Sequence, residues 1–89
     1  MKKSVSEVIN DCYKVANFAK DGCPANTYAH MTSLIEEVIA IAPEMNQDFT
    51  VTVNSIVKEI LAAQMKDDLI KISDFIEFEL VYVLKNYQK

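Results

Sequence analysis

The sequence of 89 residues contains one glycine, two prolines and no tryptophan. A β-rich domain of this size needs many tight turns, and those turns depend on glycine and proline. Their scarcity therefore favours an all-α fold. The length suits one domain with three or four helices around a single core, and it is too short for two independent cores. We expect residues 1–89 to form one helical-bundle domain.

The sequence also lacks a long apolar stretch and an excess of positive charge. No segment approaches the about 18 uncharged apolar residues of a membrane span. The start, Met1-Lys2-Lys3, is followed by polar Ser4 and Ser6 instead of the apolar part of a signal peptide. Nine basic and thirteen acidic residues give a net charge of −4, which disfavours binding to phosphate backbones. We expect a cytoplasmic protein that binds neither membranes nor nucleic acid.

Residues suited to catalysis or metal binding are few. His30 is the only histidine, and together with Cys12 and Cys23 it has neither the CxxC nor the HxxxH spacing of a zinc site. No glycine-rich loop is present to hold a phosphate group. No pattern places a base beside a nucleophilic serine or cysteine. We expect no enzyme activity, no metal and no cofactor.

The two cysteines are not expected to pair. Cys12 lies on the apolar face of the first predicted helix, and Cys23 lies just beyond its end. Eleven helical residues would separate Cys12 from Cys23 by roughly 16 Å, whereas a disulfide needs its two Cα atoms within about 7 Å. We expect Cys12 to be buried and Cys23 to lie in a turn, where a thiol can be exposed and reactive.

Helix boundaries are marked by capping and breaking residues. Ser4 and Glu7 have the spacing of a capping box, and Gly22 suits the left-handed position that follows a helix. The second helix is expected to begin between Pro24 and Thr27, and Pro43 is expected to end it.

Aspartates are expected at the starts of the last two helices. Asp48 is a candidate N-cap for the third, while Asp67 and Asp68 are expected to be the N-cap and a first-turn acid of the fourth. Residues 50–53 alternate as a short strand also would, but the helical period continues to Ala63, which favours a helix. The predicted four-helix antiparallel bundle has helices at about 4–20, 25–42, 49–66 and 67–86.

The last predicted helix is apolar almost all round. One stripe, expected to face the core, contains Leu69, Ile72, Ile76, Leu80 and Val83. A second set consists of Phe75, Phe78 and Tyr82, flanked by Ile70 and Val81. Asp74, Glu77 and Lys85 are expected at its polar rim.

Such a helix is either central in its own fold or covered by another chain, because soluble monomers rarely expose a large apolar patch. Aromatic residues are the usual anchors of protein interfaces. We therefore expect Phe75, Phe78, Tyr82, Asp74 and Glu77 to bind a protein partner or a second copy of the chain.

The segment from Lys66 to Leu80 resembles the C-terminal signature of a family of small bacterial helical proteins of uncharacterised function. That signature has a Lys-Asp-Tyr start and an Asp-Ile-Leu-Glu-Tyr-Glu-Leu core. Asp74, Glu79 and Leu80 fit it, as do residues 76–78 with Phe78 in place of tyrosine, whereas Asp68 replaces the first tyrosine. The resemblance implies a helical bundle without a catalytic motif. Its architecture is similar to that of flagellar export chaperones, which hold partner helices.

We therefore predict a non-enzymatic interaction protein, such as an adaptor, chaperone or small regulator, that binds through its last helix. The alternative is a carrier domain that holds a small apolar ligand between its helices. In that case Tyr28, Met31 and Met45 would line the cavity.

Overall fold

The computed structural model describes residues 3–89, so Met1 and Lys2, at the predicted N-terminus without a signal peptide, lie outside the described residues. The chain is an antiparallel bundle of four helices, which confirms the predicted fold class, and residues 3–89 contain no β-strand. The helices are α1, Val5–Lys20; α2, Pro24–Ile41; α3, Phe49–Met65; and α4, which joins Leu69–Asp74, a π-helical segment Phe75–Leu80, and Val81–Asn86.

The ends of α1 follow the sequence prediction. The Ser4 hydroxyl accepts a hydrogen bond from the Glu7 backbone N–H at 3.2 Å, and the Glu7 carboxylate accepts one from the Ser4 N–H at 3.0 Å. This reciprocal pair is the predicted capping box. Gly22 has a φ of 72°, which confirms its left-handed position after the helix.

The connection between α2 and α3 differs in detail from the prediction. Pro24 is the first residue of α2, within the range predicted for its start, and α2 ends at Ile41, before Pro43. Pro43 lies in a 3₁₀ turn, Ala42–Glu44, that follows the helix directly. Asp48 occupies the N-cap position of α3, but its side chain makes no capping hydrogen bond.

The start of α4 corrects the predicted roles of the two aspartates. Asp67 is not the N-cap of α4, because it has a φ of 51° and completes the C-terminal turn of α3. The Asp68 N–H donates to the Ala63 carbonyl at 2.9 Å, as in the turn that closes many helices. Asp68 is the N-cap of α4, and its carboxylate accepts from the Lys71 N–H at 3.0 Å. The helix therefore begins at Leu69 instead of Asp67.

The core lies between the four apolar faces, with α1 and α4 at its centre. α1 packs extensively against both α2 and α4, α3 packs against α4, and α2 touches α3 only lightly. Each helix contributes side chains that are almost fully buried, among them Val8, Cys12, Leu34, Val38, Phe49, Ile60, Ile72, Ile76, Leu80 and Leu84. None of the helices described here is long and apolar enough to cross a membrane.

The π-helical segment changes which residues of α4 face the core. The Val81 N–H donates to the Ile76 carbonyl, five residues back, so this turn holds one residue more than an α-helical turn. The residues that follow are rotated relative to a regular helix. Val81, predicted to lie on the outer flank, is therefore buried, and Leu84 joins the core. Ile70, before the π segment, is exposed.

Candidate protein-binding surface

Four aromatic side chains form a surface on the outside of α4 and the adjoining part of α1. We call Tyr13, Phe75, Phe78 and Tyr82 the aromatic surface. Phe78 is 63% exposed, Tyr82 61% and Tyr13 37%, whereas Phe75 is half-buried against the core. The bundle does not bury the second apolar face of α4, because α1 and α3 already cover its other side. Internal burial, the other outcome left open by the sequence, does not occur for Phe78 or Tyr82.

Two shallow depressions lie on either side of Phe78. The larger has a volume of about 500 Å³ and is lined by Tyr13 and Val81 together with Phe78, Tyr82 and Lys85. The smaller, of about 280 Å³, lies between Phe75 and Phe78 beside Asp74 and Glu79. Phe78 therefore borders both recesses.

The polar rim has both free and paired charges. Asp74 and Lys85 are exposed at opposite ends of the aromatic surface. Glu77 lines the larger depression, but both of its carboxylate oxygens accept hydrogen bonds from the Lys20 ammonium group, at 2.6 and 2.7 Å. The charge of Glu77 is thus balanced within the chain by Lys20, and this ion pair connects α1 to α4.

Tyr13 is the member of the surface that the sequence pattern did not identify. It lies one residue after buried Cys12, on the part of α1 that the pattern assigned to neither face. The periodicity of one helix does not reveal which other helix lies beside it. The only sign of this role in the sequence was that Tyr13 lies next to the apolar stripe of α1.

A second cluster of charged groups connects α1 and α2. The Lys3 ammonium group lies 2.6 Å from Asp11 Oδ2 and 3.4 Å from Glu37 Oε1. The second distance fits an ion pair but not a well-directed hydrogen bond, and Glu37 Oε1 is buried without a donor among the described residues. These groups border a depression of about 410 Å³ that also includes Lys14 and His30.

The two carboxyl groups of this cluster titrate in opposite directions. Burial and a hydrogen bond shared with Asp11 raise the pKa of Glu37 above its usual value. Burial acts to raise the pKa of Asp11 as well, but hydrogen bonds from Glu37 and Lys3 outweigh it and hold that pKa below its usual value. The pair therefore favours one protonated and one ionised carboxyl group.

The remaining candidates for chemistry are separated from one another. The His30 ring stacks on Phe18 with 5.0 Å between centroids. Cys12 is buried, which raises the pKa of its thiol to about 12, and both cysteines are free, with Cys23 half-buried at the start of α2. Within residues 3–89, no three side chains of His, Cys, Asp or Glu converge as metal ligands.

Two of the three residues predicted to line a ligand cavity lie in the core instead. Met31 and Met45 are both buried in the core. Tyr28 is half-buried, and its hydroxyl donates a hydrogen bond to Asp67 Oδ1 at 2.8 Å. These contacts are those of packing residues, and the three side chains have no shared cavity among the depressions described above.

Comparison with known proteins gives no match to any family model, any curated protein or any solved structure.

Proposed function

We propose that the protein is a non-enzymatic helical-bundle interaction protein, an adaptor, chaperone or small regulator, that binds another protein chain through its aromatic surface. The observation that carries the proposal is the exposure of Phe78 and Tyr82 side by side on α4, at 63% and 61%. Exposed aromatic pairs beside a recess are typical anchors of protein interfaces. The resemblance of the segment Lys66–Leu80 to a family of bacterial helical bundles, and its similarity in architecture to export chaperones, agrees with a binding role in the bacterial cytoplasm.

The size of the surface supports a protein partner in preference to a small ligand. Given about 150–250 Å² for an aromatic side chain, Tyr13, Phe78 and Tyr82 together expose on the order of 300 Å². A continuous patch of that size on a small monomer is often functional. The depressions beside it are open and shallow, whereas small-molecule sites enclose most of their ligand.

The experiment replaces the exposed pair by aspartate, as Phe78→Asp with Tyr82→Asp. The matched control is Val51→Asp with Met65→Asp on α3, since these side chains are 70% and 89% exposed and the net charge changes equally. We expect only the α4 variant to lose association, measured by mass in solution and by quantitative co-purification from the native host. Circular dichroism checks that both variants remain helical. Unchanged mass and unchanged co-purification in a folded α4 variant would falsify the proposed function.

A further inference from the structure

Charge is distributed unevenly along the aromatic surface. Asp74 lies at the smaller depression, on the N-terminal side of Phe78, whereas Lys85 lines the larger depression near Tyr82. Glu79 also lines the smaller depression, but it follows Phe78 and lies near the middle of the surface. Asp74, Glu79 and Lys85 form no ion pair within residues 3–89. The surface thus has an acidic end, an aromatic centre and a basic end.

A surface of this kind is complementary to itself in one orientation. If two copies met with their α4 helices parallel, each acidic end would face its own copy and repel it. In the antiparallel orientation, Asp74 lies opposite Lys85 of the second copy, and the reciprocal pair forms by symmetry. Like charges are thereby kept apart at both ends.

The aromatic residues fit the same register as the charges. Along α4 the midpoint between Phe78 and Tyr82 is Leu80, and the midpoint between Asp74 and Lys85 falls just before Leu80. The two midpoints are less than one residue apart, which is less than about 1.5 Å along the helix axis. A single two-fold axis near Leu80 can therefore relate both pairs. Each Phe78 then meets Tyr82 of the second copy, at the recess of about 500 Å³ that Tyr13 also lines.

We propose that the aromatic surface binds a second copy of this chain, with the two α4 helices antiparallel and paired through Phe78 with Tyr82 and Asp74 with Lys85. This inference rests on the proposed function, because it names the partner of the same surface.

The area predicts how tightly the copies bind. The exposed aromatic side chains provide on the order of 300 Å² per copy, and the rim adds to it. A stable interface usually buries about 800 Å² per partner, so this one is well below that size and falls among weak, transient contacts. We therefore expect a weak, reversible dimer.

The experiment is analytical ultracentrifugation of the wild-type chain and two charge-reversal variants, Asp74→Lys and Lys85→Glu, from low micromolar to about 0.5 mM. The wild type is expected to dimerise. In a dimer of either variant alone, two like charges would face each other at both ends. Its self-association is therefore expected to be at least tenfold weaker than that of the wild type. An equimolar mixture of the two restores opposite charges at both ends, so we expect a dimer containing one chain of each.

The matched controls are Glu59→Lys and Lys58→Glu, which make the same charge changes at exposed positions on α3. Both are expected to dimerise as the wild type does. Both variants on α4 also keep a net negative charge, because the wild type starts at −4 and each change is of two units. Overall attraction between oppositely charged proteins therefore does not account for rescue in the mixture.

Two results overturn the inference. A wild type that stays monomeric at about 0.5 mM rules out self-association, and a dimer that ignores both reversals on α4 rules out this arrangement. Neither result removes the proposed function, which fails only if loss of Phe78 and Tyr82 also leaves co-purification unchanged. The two failures are therefore distinguishable.

Discussion

Asp11 and Glu37 face each other between α1 and α2, with Lys3 as their shared cation. The ammonium group is much closer to Asp11 than to Glu37, and Glu37 Oε1 has no hydrogen-bond donor among residues 3–89. Lys3 therefore stabilises the ionised form of Asp11, while ionised Glu37 is left near a second negative charge. The two acids contribute to stability with opposite dependence on pH.

The sign of each contribution follows from its pKa. Glu37 has a raised pKa in the folded protein, so its favourable contribution is present below its unfolded pKa and is lost as the pH rises through the folded value. Asp11 has a lowered pKa, so its contribution is present above its unfolded pKa and is lost as the pH falls through the folded value. Ionised Glu37 thus lowers the stability of the bundle at neutral pH.

Glu37→Gln is therefore expected to stabilise the protein at pH 7 by roughly 0.5–1 kcal/mol, the size of a single charge-pair interaction near a surface. The gain should vanish near pH 4, where Glu37 is largely protonated. Urea denaturation between pH 4 and 8 measures the change. Asp11→Asn should act in the opposite direction at pH 7, since Lys3 loses its closer partner. Glu36→Gln, an exposed neighbour, is the control, and an equal effect from it would contradict this explanation.

Single residues also show which turn signals the sequence contains. Gly22 was correctly predicted in the left-handed region because glycine has no Cβ to oppose it. Asp67 takes the equivalent position after α3, at a φ of 51°. Aspartate tolerates that conformation but favours N-caps as well, so two consecutive aspartates did not reveal which one caps α4. The hydrogen bond from Tyr28 to Asp67, formed across distant parts of the chain, adds a tertiary preference that sequence spacing does not contain.

At the scale of the elements, the four helices were predictable because clear stop signals separate four amphipathic patterns. Their observed starts and ends agree with the predicted ones within about two residues. The π-helical segment in α4 was not predictable, since its sequence contains neither glycine nor proline and each of its residues also fits an α-helix. The segment follows from packing, because the wider turn brings Val81 and Leu84 into the core.

Deleting Glu79, which is exposed within the π segment, is expected to convert that turn to α-helical geometry. The residues after it are expected to keep their orientation, because the π segment holds one residue more than an α-helical turn and the deletion removes that residue. Val81, Val83 and Leu84 should therefore stay buried, without the roughly 2–5 kcal/mol that loss of core packing costs.

Urea denaturation compares this deletion with Glu79→Ala, which removes the same carboxylate and keeps the chain length. The substitution is expected to change stability by less than about 0.5 kcal/mol. A deletion variant that is less stable than the substitution by the roughly 2–5 kcal/mol of lost core packing would contradict the prediction.

At the scale of the whole molecule, α1 and α4 have the most extensive contacts, and α2 depends mainly on α1. The order of packing was not predictable from the sequence, because apolar stripes of similar width do not identify their partners. The aromatic surface was predicted in part. Phe78 and Tyr82 came from their spacing, while Tyr13 joins them only because α1 lies beside α4.

This arrangement predicts unequal local stability. Amide hydrogens of α1 and of the α-helical parts of α4 should exchange only through global unfolding, whereas those of α2 should also exchange through a smaller opening that separates α2 from α1. Native-state hydrogen exchange, followed by NMR at increasing denaturant, measures the opening free energy of each helix. If α2 is as well protected as α1, the bundle opens as one unit and the prediction is wrong.

The central position of α1 also bears on synthesis of the protein at the ribosome. Its two main partners are α2, which follows it directly, and α4, which is made after the other three helices. A nascent chain that ends before Leu69 can pair α1 with α2, but the side of α1 that α4 covers stays open to solvent. Domains fold as units during translation, so the native bundle can form only after its last helix has been synthesised. For that interval the growing chain has an apolar face available to molecular chaperones.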